Sequence, residues 1–456
     1  MRKILVALAC GAAAFAQAQV TDREFVDIYR ELVEINTAQP EANTTPAAQA
    51  MARRLLDAGF DPRDVEVVGP TPEKQNLLAR YRGAGEGKPV LLMAHLDVVA
   101  AHKEDWTGGL DPFKLTERDG HFYARGAIDD KAMAAVFVAN LIRMKREGYK
   151  PRHDIVLALT ADEESGNHNG VEWLIRHRRA DVDAEVAVNE GAGGSIRRGK
   201  PFILGVQVAE KVYQSFDFES TGPGGHSSVP GRNNVIYDVT SALGRLAEYQ
   251  FPTHVDENTR RFFAIVATTE GGALASALDA VAKGDSNEEL LRQISAVPRL
   301  NAQLRTTCVA TRIEGGHADN ALPQRARATV NCRIFPGEKS SFVEAELKRI
   351  AGDRVKVTSH EEAHPSPPAD PDSPVIRTIE RVAETMWPGT PVVPLMGSGA
   401  TDGAWLRNIG VPVYGVSGIF VEYGENRVHG QDERVPVKSL LDSREFLYRL
   451  AKALAS

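Results

Sequence analysis

The sequence predicts an α/β domain built on a mixed, largely parallel sheet and interrupted by a smaller α+β domain, and three observations lead there. From Val65 to Val188 short β-branched and aliphatic runs alternate with helical stretches, as expected of strands covered on both faces of a layered sheet. Near Gly205 the runs change to a period of two, which suits strands with one wet face. After His364–Pro374, a segment with five prolines that favours an extended connector, the first texture resumes.

Taken from the N-terminus, Arg2 and Lys3 precede a short apolar run ending at Ala16-Gln17-Ala18. That arrangement predicts an export signal over 1–18, cleaved before Gln19, and the run is too short to span a bilayer. Leu8-Ala9-Cys10-Gly11 is a fainter lipoprotein-like alternative. Phe25 to Gly59 holds two helices around a polar break at Gln39–Asn43. Strands are expected at Val65–Val68, Pro89–Ala94, Ile155–Thr160 and Ala184–Val188, with helices at Lys131–Glu147 and Gly170–His177. The host domain thus covers 19–205 and 361–456, the latter with a helix at 375–386, a strand at Val411–Val416 and a helix at 437–454. An insert occupies 206–360, with alternating strands at Ser215–Ser220, Ala326–Arg333 and Val355–Ser359.

Composition narrows the function. At 43% hydrophobic and 25% charged the chain is neither disordered nor a coiled coil. Its formal charge of −7 offers no footprint for nucleic acid or anionic membrane, so a small molecule or peptide is the expected ligand. Without the leader only Cys308 and Cys332 remain, either bridged or as two buried thiols.

Chemistry-bearing residues cluster where strands end, the place ligands occupy in open α/β sheets. His95 closes one strand as a candidate metal ligand, and Asp97, two residues on, is placed to accept its other imidazole N–H. Asp129 and Asp130 open a helix, where acids also serve as caps, but one carboxylate can bridge two cations, the role given to Asp129. Glu163 and Glu164 follow the next strand, the first as general base and the second as ligand. Glu190 follows another, and His429 lies in the loop after the last. Mixed imidazole and carboxylate ligation suits zinc, with manganese or cobalt as substitutes.

In chain order, His95-Leu96-Asp97-Val98-Val99, Trp106, Asp111-Pro112-Phe113, Arg125-Gly126-Ala127-Ile128-Asp129-Asp130-Lys131, Glu163-Glu164 and His429 resemble one family. It is that of the dinuclear zinc peptidases and deacylases, including carboxypeptidase S, aminoacylase, acetylornithine deacetylase and succinyl-diaminopimelate desuccinylase. The resemblance implies two zinc ions per chain on His95, Asp129, Glu164, Glu190 and His429, with Glu163 as base. The stretch between 250 and 310 is most similar to the carboxypeptidase S-like branch, where an acid often stands at the position of Asn189; if the branch's ligand is that residue, Glu190 must take over its role here. Gly222–Ser228, Asn320-Ala321-Leu322-Pro323 and Asn331–Gly337 resemble the family's lid. They imply that His226 contacts the reacting carbonyl, often across a dimer interface, and that Asn320 and Arg333 hold the substrate carboxylate. Gly397–Asp402 resembles the substrate-carboxylate loop, with Gly399 and Thr401 as contacts.

The implied protein is an exported, periplasmic or secreted homodimer. It cleaves an amide beside a free carboxylate, in short peptides or N-acyl amino acids, by a water bridging two zinc ions. A deacylase, an esterase or phosphatase on the same metals, and an inactive zinc-dependent binding module are the alternatives.

Overall fold

The computed structural model describes residues 20–39, 42–164, 167–360, 362–425 and 427–456; the leader expected at 1–18 lies outside them. Its contacts form two compact units. The first takes in the chain up to Val208 with Ala369–Val393 and Thr401–Ser456; the second is Ala209–Pro368 with Pro394–Ala400. The expected insert of 206–360 thus differs by a few residues at its start, by the proline connector at its end, and by Pro394–Ala400.

The main sheet runs in spatial order Val65–Val68, Asn76–Tyr81, Ile155–Thr160, Val90–His95, Val186–Asn189, Val413–Gly415, Lys200–Glu210, Gly194–Arg197 and Phe420–Glu422. From Ile155–Thr160 to Val413–Gly415 the pairing is parallel. Outside these strands the pairing is antiparallel, by short connections between Val65–Val68 and Asn76–Tyr81 and between Gly194–Arg197 and Lys200–Glu210, while the outermost strand Phe420–Glu422 runs parallel to Gly194–Arg197. Only Arg198 and Gly199 join two of those strands, both at positive φ, +53° and +74°, as tight hairpin turns require.

The central strands are apolar throughout because both faces are covered. Val90, Leu92 and Ala94 enter one core with the helices Asp22–Glu34, Thr45–Asp57, Lys131–Glu147, Pro374–Met386 and Val437–Leu454. Leu91 and Met93 enter the opposite core with Val171, Leu174 and Leu406. The helix Lys131–Glu147 stops at Gly148, whose φ of +65° turns its N–H back onto the Lys145 carbonyl at 3.1 Å. A smaller antiparallel sheet of Thr116–Arg118, His121–Tyr123 and Arg434–Pro436, not foreseen from the sequence, sets Arg434 opposite Tyr123.

In the second unit, Thr307–Gly315, Arg325–Ile334, Val212–Thr221 and Lys356–Ser359 form an antiparallel sheet in that order. One face buries Phe216, Phe218, Ala328 and Val330 beneath the helices Val235–Glu248 and Ser340–Ala351. Between 250 and 310 the four helices Glu257–Ala267, Gly272–Ala282, Glu288–Ser295 and Pro298–Asn301 pack their own core around Phe263, Leu278 and Ile294. Cys308 and Cys332 stand opposite each other in register and form a disulfide. Among the described residues no helix is long and apolar enough to cross a membrane.

Candidate metal centre

Parallel register places the ends of neighbouring strands side by side: His95 lies opposite Thr160, and Gly415 opposite Asn189. The acids after Thr160 and after Asn189 therefore emerge on the same edge as His95. The His95 ring is 2% exposed, and its Nε2 lies 2.9 Å from Oδ1 of Asp129. On the other oxygen of that carboxylate, His429 Nε2 stands 3.1 Å from Oδ2 and 2.9 Å from Oε2 of Glu164. Ligand atoms of His95, Asp129 and Glu164 lie within 4.8 Å of one another, as do those of His95, Glu163 and Glu190.

Asp97 departs from expectation. Its main-chain carbonyl, 2.9 Å from His95 Nδ1, holds the ring, while its carboxylate stands 3.8 Å from that nitrogen. The strand ends at His95, and the turn that follows brings the carbonyl closer than the side chain. The carboxylate instead accepts the N–H groups of Glu163 and Glu164, each at 3.1 Å. Asn189 is buried and directs its Nδ2 toward Thr401 Oγ1, 3.5 Å away. The Thr401 hydroxyl also accepts the Gly403 N–H at 3.1 Å.

The acids outnumber the imidazoles, and the pKa values register it. Burial opposes charge on the His95 ring, yet Asp129, with Glu163 and Asp97, holds its pKa well above the usual value. Asp129 and Glu164 push His429 up to about 10. Burial drives the Glu163 carboxyl well up, against the opposing pull of His95 and with added repulsion from Glu190, Asp402 and Glu164. A cluster that retains protons this firmly is one in which cations can take their place. One carboxylate set between two imidazoles, with further carboxylates on either side, fits a pair of divalent ions of the zinc type.

Not all expected site residues belong to this cluster. His226 is exposed in the second unit, on a short ladder that sets it opposite Ala321, and its Nδ1 accepts the Ser228 hydroxyl at 2.7 Å. Asn320 adjoins that ladder, and its carbonyl accepts the Ser227 N–H. Arg333 lies elsewhere in the same unit, opposite Tyr213 and over its ring at 4.7 Å. Eight residues of strand separate Arg333 from Arg325 at the end near Ala321, roughly 26 Å at strand rise. Gly399 is exposed.

Two contributors carried no assigned role in the sequence. Glu433, fully buried, accepts hydrogen bonds from Arg125 and from the N–H groups of Gly126, Ile128 and Asp129. Asp402, also buried, accepts the Thr160 hydroxyl at 2.9 Å and the Asn169 amide at 2.6 Å. Asp402 ends the segment Gly397–Asp402 noted above, but no spacing rule connects Glu433 to residues some 300 positions earlier.

Residues 91–453 match peptidase family M20/M25/M40, and the chain belongs to that family of metal-dependent hydrolases. Among similar relatives is the Homo sapiens N-fatty-acyl-amino acid synthase/hydrolase PM20D1, 28% identical over 80% of this chain and 73% of that one. The probable carboxypeptidase S-like 2 of Dictyostelium discoideum is 27% identical over 83% of this chain and 75% of that one. The fold matches the M20 family metallo-carboxypeptidase Sso-CP2 from Sulfolobus solfataricus, with a TM-score of 0.73 and 17% identity over 94% of this chain and 98% of that one.

Proposed function

We propose that the chain is an exported dinuclear zinc amidohydrolase that cleaves the amide bond next to a free carboxylate in N-acyl amino acids or short peptides. The observation that carries this is Asp129, whose two oxygens face His95 and His429. Held by His95, Asp129 and Glu190 on one side and Asp129, Glu164 and His429 on the other, two zinc ions would acidify the attacking water and polarise the scissile carbonyl. Glu163, whose raised pKa suits a proton carrier, takes the proton from that water on its carboxylate and returns it to the leaving nitrogen. His226 donates toward the oxygen that gains charge, while Asn320, Arg333, Gly399 and Thr401 hold the substrate's carboxylate. The relatives named for fatty-acyl amino acids and for carboxypeptidase S bracket the two substrate classes.

Export is supported by the pattern over 1–18 and by the disulfide, which persists in oxidising compartments. A homodimer is supported by the separation of Arg333 from His226 and Asn320, which a second copy would remedy by supplying the missing pair. The edge strand Thr307–Gly315 also leaves Val309 and Ile313 exposed at 61% and 57%. The decisive experiment measures metal per chain together with cleavage of dipeptides and N-acyl amino acids before and after chelation. Two metals and chelator-sensitive cleavage are expected. Metal uptake with no hydrolysis of either class would favour the binding-module reading, and light scattering at monomer mass would remove the dimer.

A further inference from the structure

We propose that Glu433, acting with Arg125, is a positioning residue that sets the distance and direction between Asp129 and His429; the inference rests on the dinuclear reading above. Two loops far apart in sequence carry those ligands, and neither packs its ligand into a core. They meet because the ladder pairing Arg434 with Tyr123 continues one step further, to the Ala124 N–H on the Glu433 carbonyl at 3.2 Å. That step places the Glu433 side chain beneath the turn that leads to Asp129.

The carboxylate is fully buried, and each of its oxygens takes a pair of donors. Oε2 accepts Arg125 Nη1 at 2.6 Å and the Gly126 N–H at 3.1 Å. Oε1 accepts the N–H groups of Ile128 at 2.9 Å and of Asp129 itself at 3.3 Å. The same guanidinium reaches the other loop with Nη2, donating to the carbonyls of His429 at 3.2 Å and Gly430 at 3.1 Å. His429 holds a φ of +62°, a conformation costly for a residue with a side chain, so its main chain needs an outside restraint. Arg125 supplies one. A single buried ion pair therefore spans both halves of the ligand pair, from the Asp129 amide at one end to the His429 carbonyl at the other.

The arrangement has no tolerance for an amide. Both oxygens face only N–H groups, so Glu433→Gln turns its own N–H against one donor pair whichever way it is flipped, and the Asp129 turn must shift. Arg125→Lys keeps a positive charge beside Glu433 but cannot also reach both carbonyls of the His429 loop. Outer partners of metal ligands typically govern affinity by about 10–100-fold.

The test loads metal-free wild type, Glu433→Gln and Arg125→Lys with cobalt(II) against a chromophoric chelator, at a temperature well below each variant's melting point. Visible absorption of each cobalt equivalent is recorded. In Arg125→Lys, which loosens the His429 loop, one equivalent is expected to bind about 10–100-fold more weakly with an altered spectrum while the other keeps its wild-type affinity, and in Glu433→Gln, which moves the shared Asp129, both are expected to weaken. A lowered melting temperature with both equivalents bound as in wild type would show a merely structural ion pair and overturn the proposal. Should Glu433→Gln fail to fold, the milder Arg125→Lys decides by the same readout. Wild type that takes up no cobalt would instead overturn the dinuclear reading, and this inference with it.

Discussion

Asp97 holds His95 by its main chain: the Asp97 carbonyl is 2.9 Å from Nδ1, and the carboxylate is turned away to the N–H groups of Glu163 and Glu164. The main chain at Glu163 and Glu164 is thus held from the segment that follows the strand ending in His95. Because each Asp97 oxygen takes one of those N–H groups, Asp97→Asn must oppose one of them with an amide N–H. Metal content should stay at the wild-type value while kcat falls about 10–100-fold with little change in KM. Loss of metal in place of turnover would mean the carboxylate acts on His95 after all.

Glu163 is the one acid near His95 to which the proton transfer is given, so Glu163→Ala should keep fold and metal and lose activity by a factor of about 100 to 10,000. Metal analysis and kcat on the best amide substrate check this together. Turnover near the wild-type rate would reassign the base.

Glu190 and Asn189 make opposite predictions although they are neighbours. Glu190 offers a ligand atom alongside His95 and Glu163, whereas Asn189 turns its amide toward Thr401. Glu190→Ala should therefore leave one metal per chain, and Asn189→Ala should leave two. Elemental analysis of the two purified variants decides, and the reverse result would move the ligand to Asn189.

The disulfide joins Cys308 and Cys332 across 24 residues of sequence within the second unit. Closing a loop of that size contributes about 3 kcal/mol, chiefly by restricting the unfolded chain. The double variant Cys308→Ala/Cys332→Ala should lower the guanidinium midpoint of that unit's transition and leave metal content unchanged. An unchanged midpoint in the oxidised protein would show that the bond contributes nothing to stability.

Periodicity made much of the architecture legible. Val90–His95 and Ile155–Thr160 are buried throughout and apolar up to their last residues because they are covered on both faces, and the polar residues that end and follow them lie at the sheet edge where ligands sit in open α/β folds. What stayed hidden was tertiary. Tyr123 and Arg434 are neighbours only after folding, so the Glu433 clamp could not be read from residues 300 positions apart. The antiparallel flanks were obscured for a different reason: a buried strand reads as apolar whichever way it runs. The Asp97 side chain was misread because alternation along a strand no longer applies once the strand has ended.

Asp402 gives the last prediction, and its sign depends on which state holds the proton. Burial pushes its carboxyl from an ordinary 3.8 up to about 6, against the Asn169 and Thr160 hydrogen bonds that favour the charged form. A folded-state pKa above the unfolded one means that the folded protein binds the proton more tightly. The resulting stability is fully present below pH 3.8 and is lost as pH rises through about 6. At neutral pH the buried charge thus costs about 3 kcal/mol, since each pKa unit is worth about 1.4 kcal/mol. Asp402→Asn removes that charge while keeping an oxygen for Asn169. The Thr160 hydroxyl, which also lies 3.4 Å from the Ala94 carbonyl, can turn to donate there and accept from the new amide. In chelated protein the variant should therefore melt higher than wild type at pH 8, and the gap should close as pH falls toward 4. A gap independent of pH would show that Asp402 is already neutral in the fold, and a variant less stable at pH 8 would show that its charge is needed there.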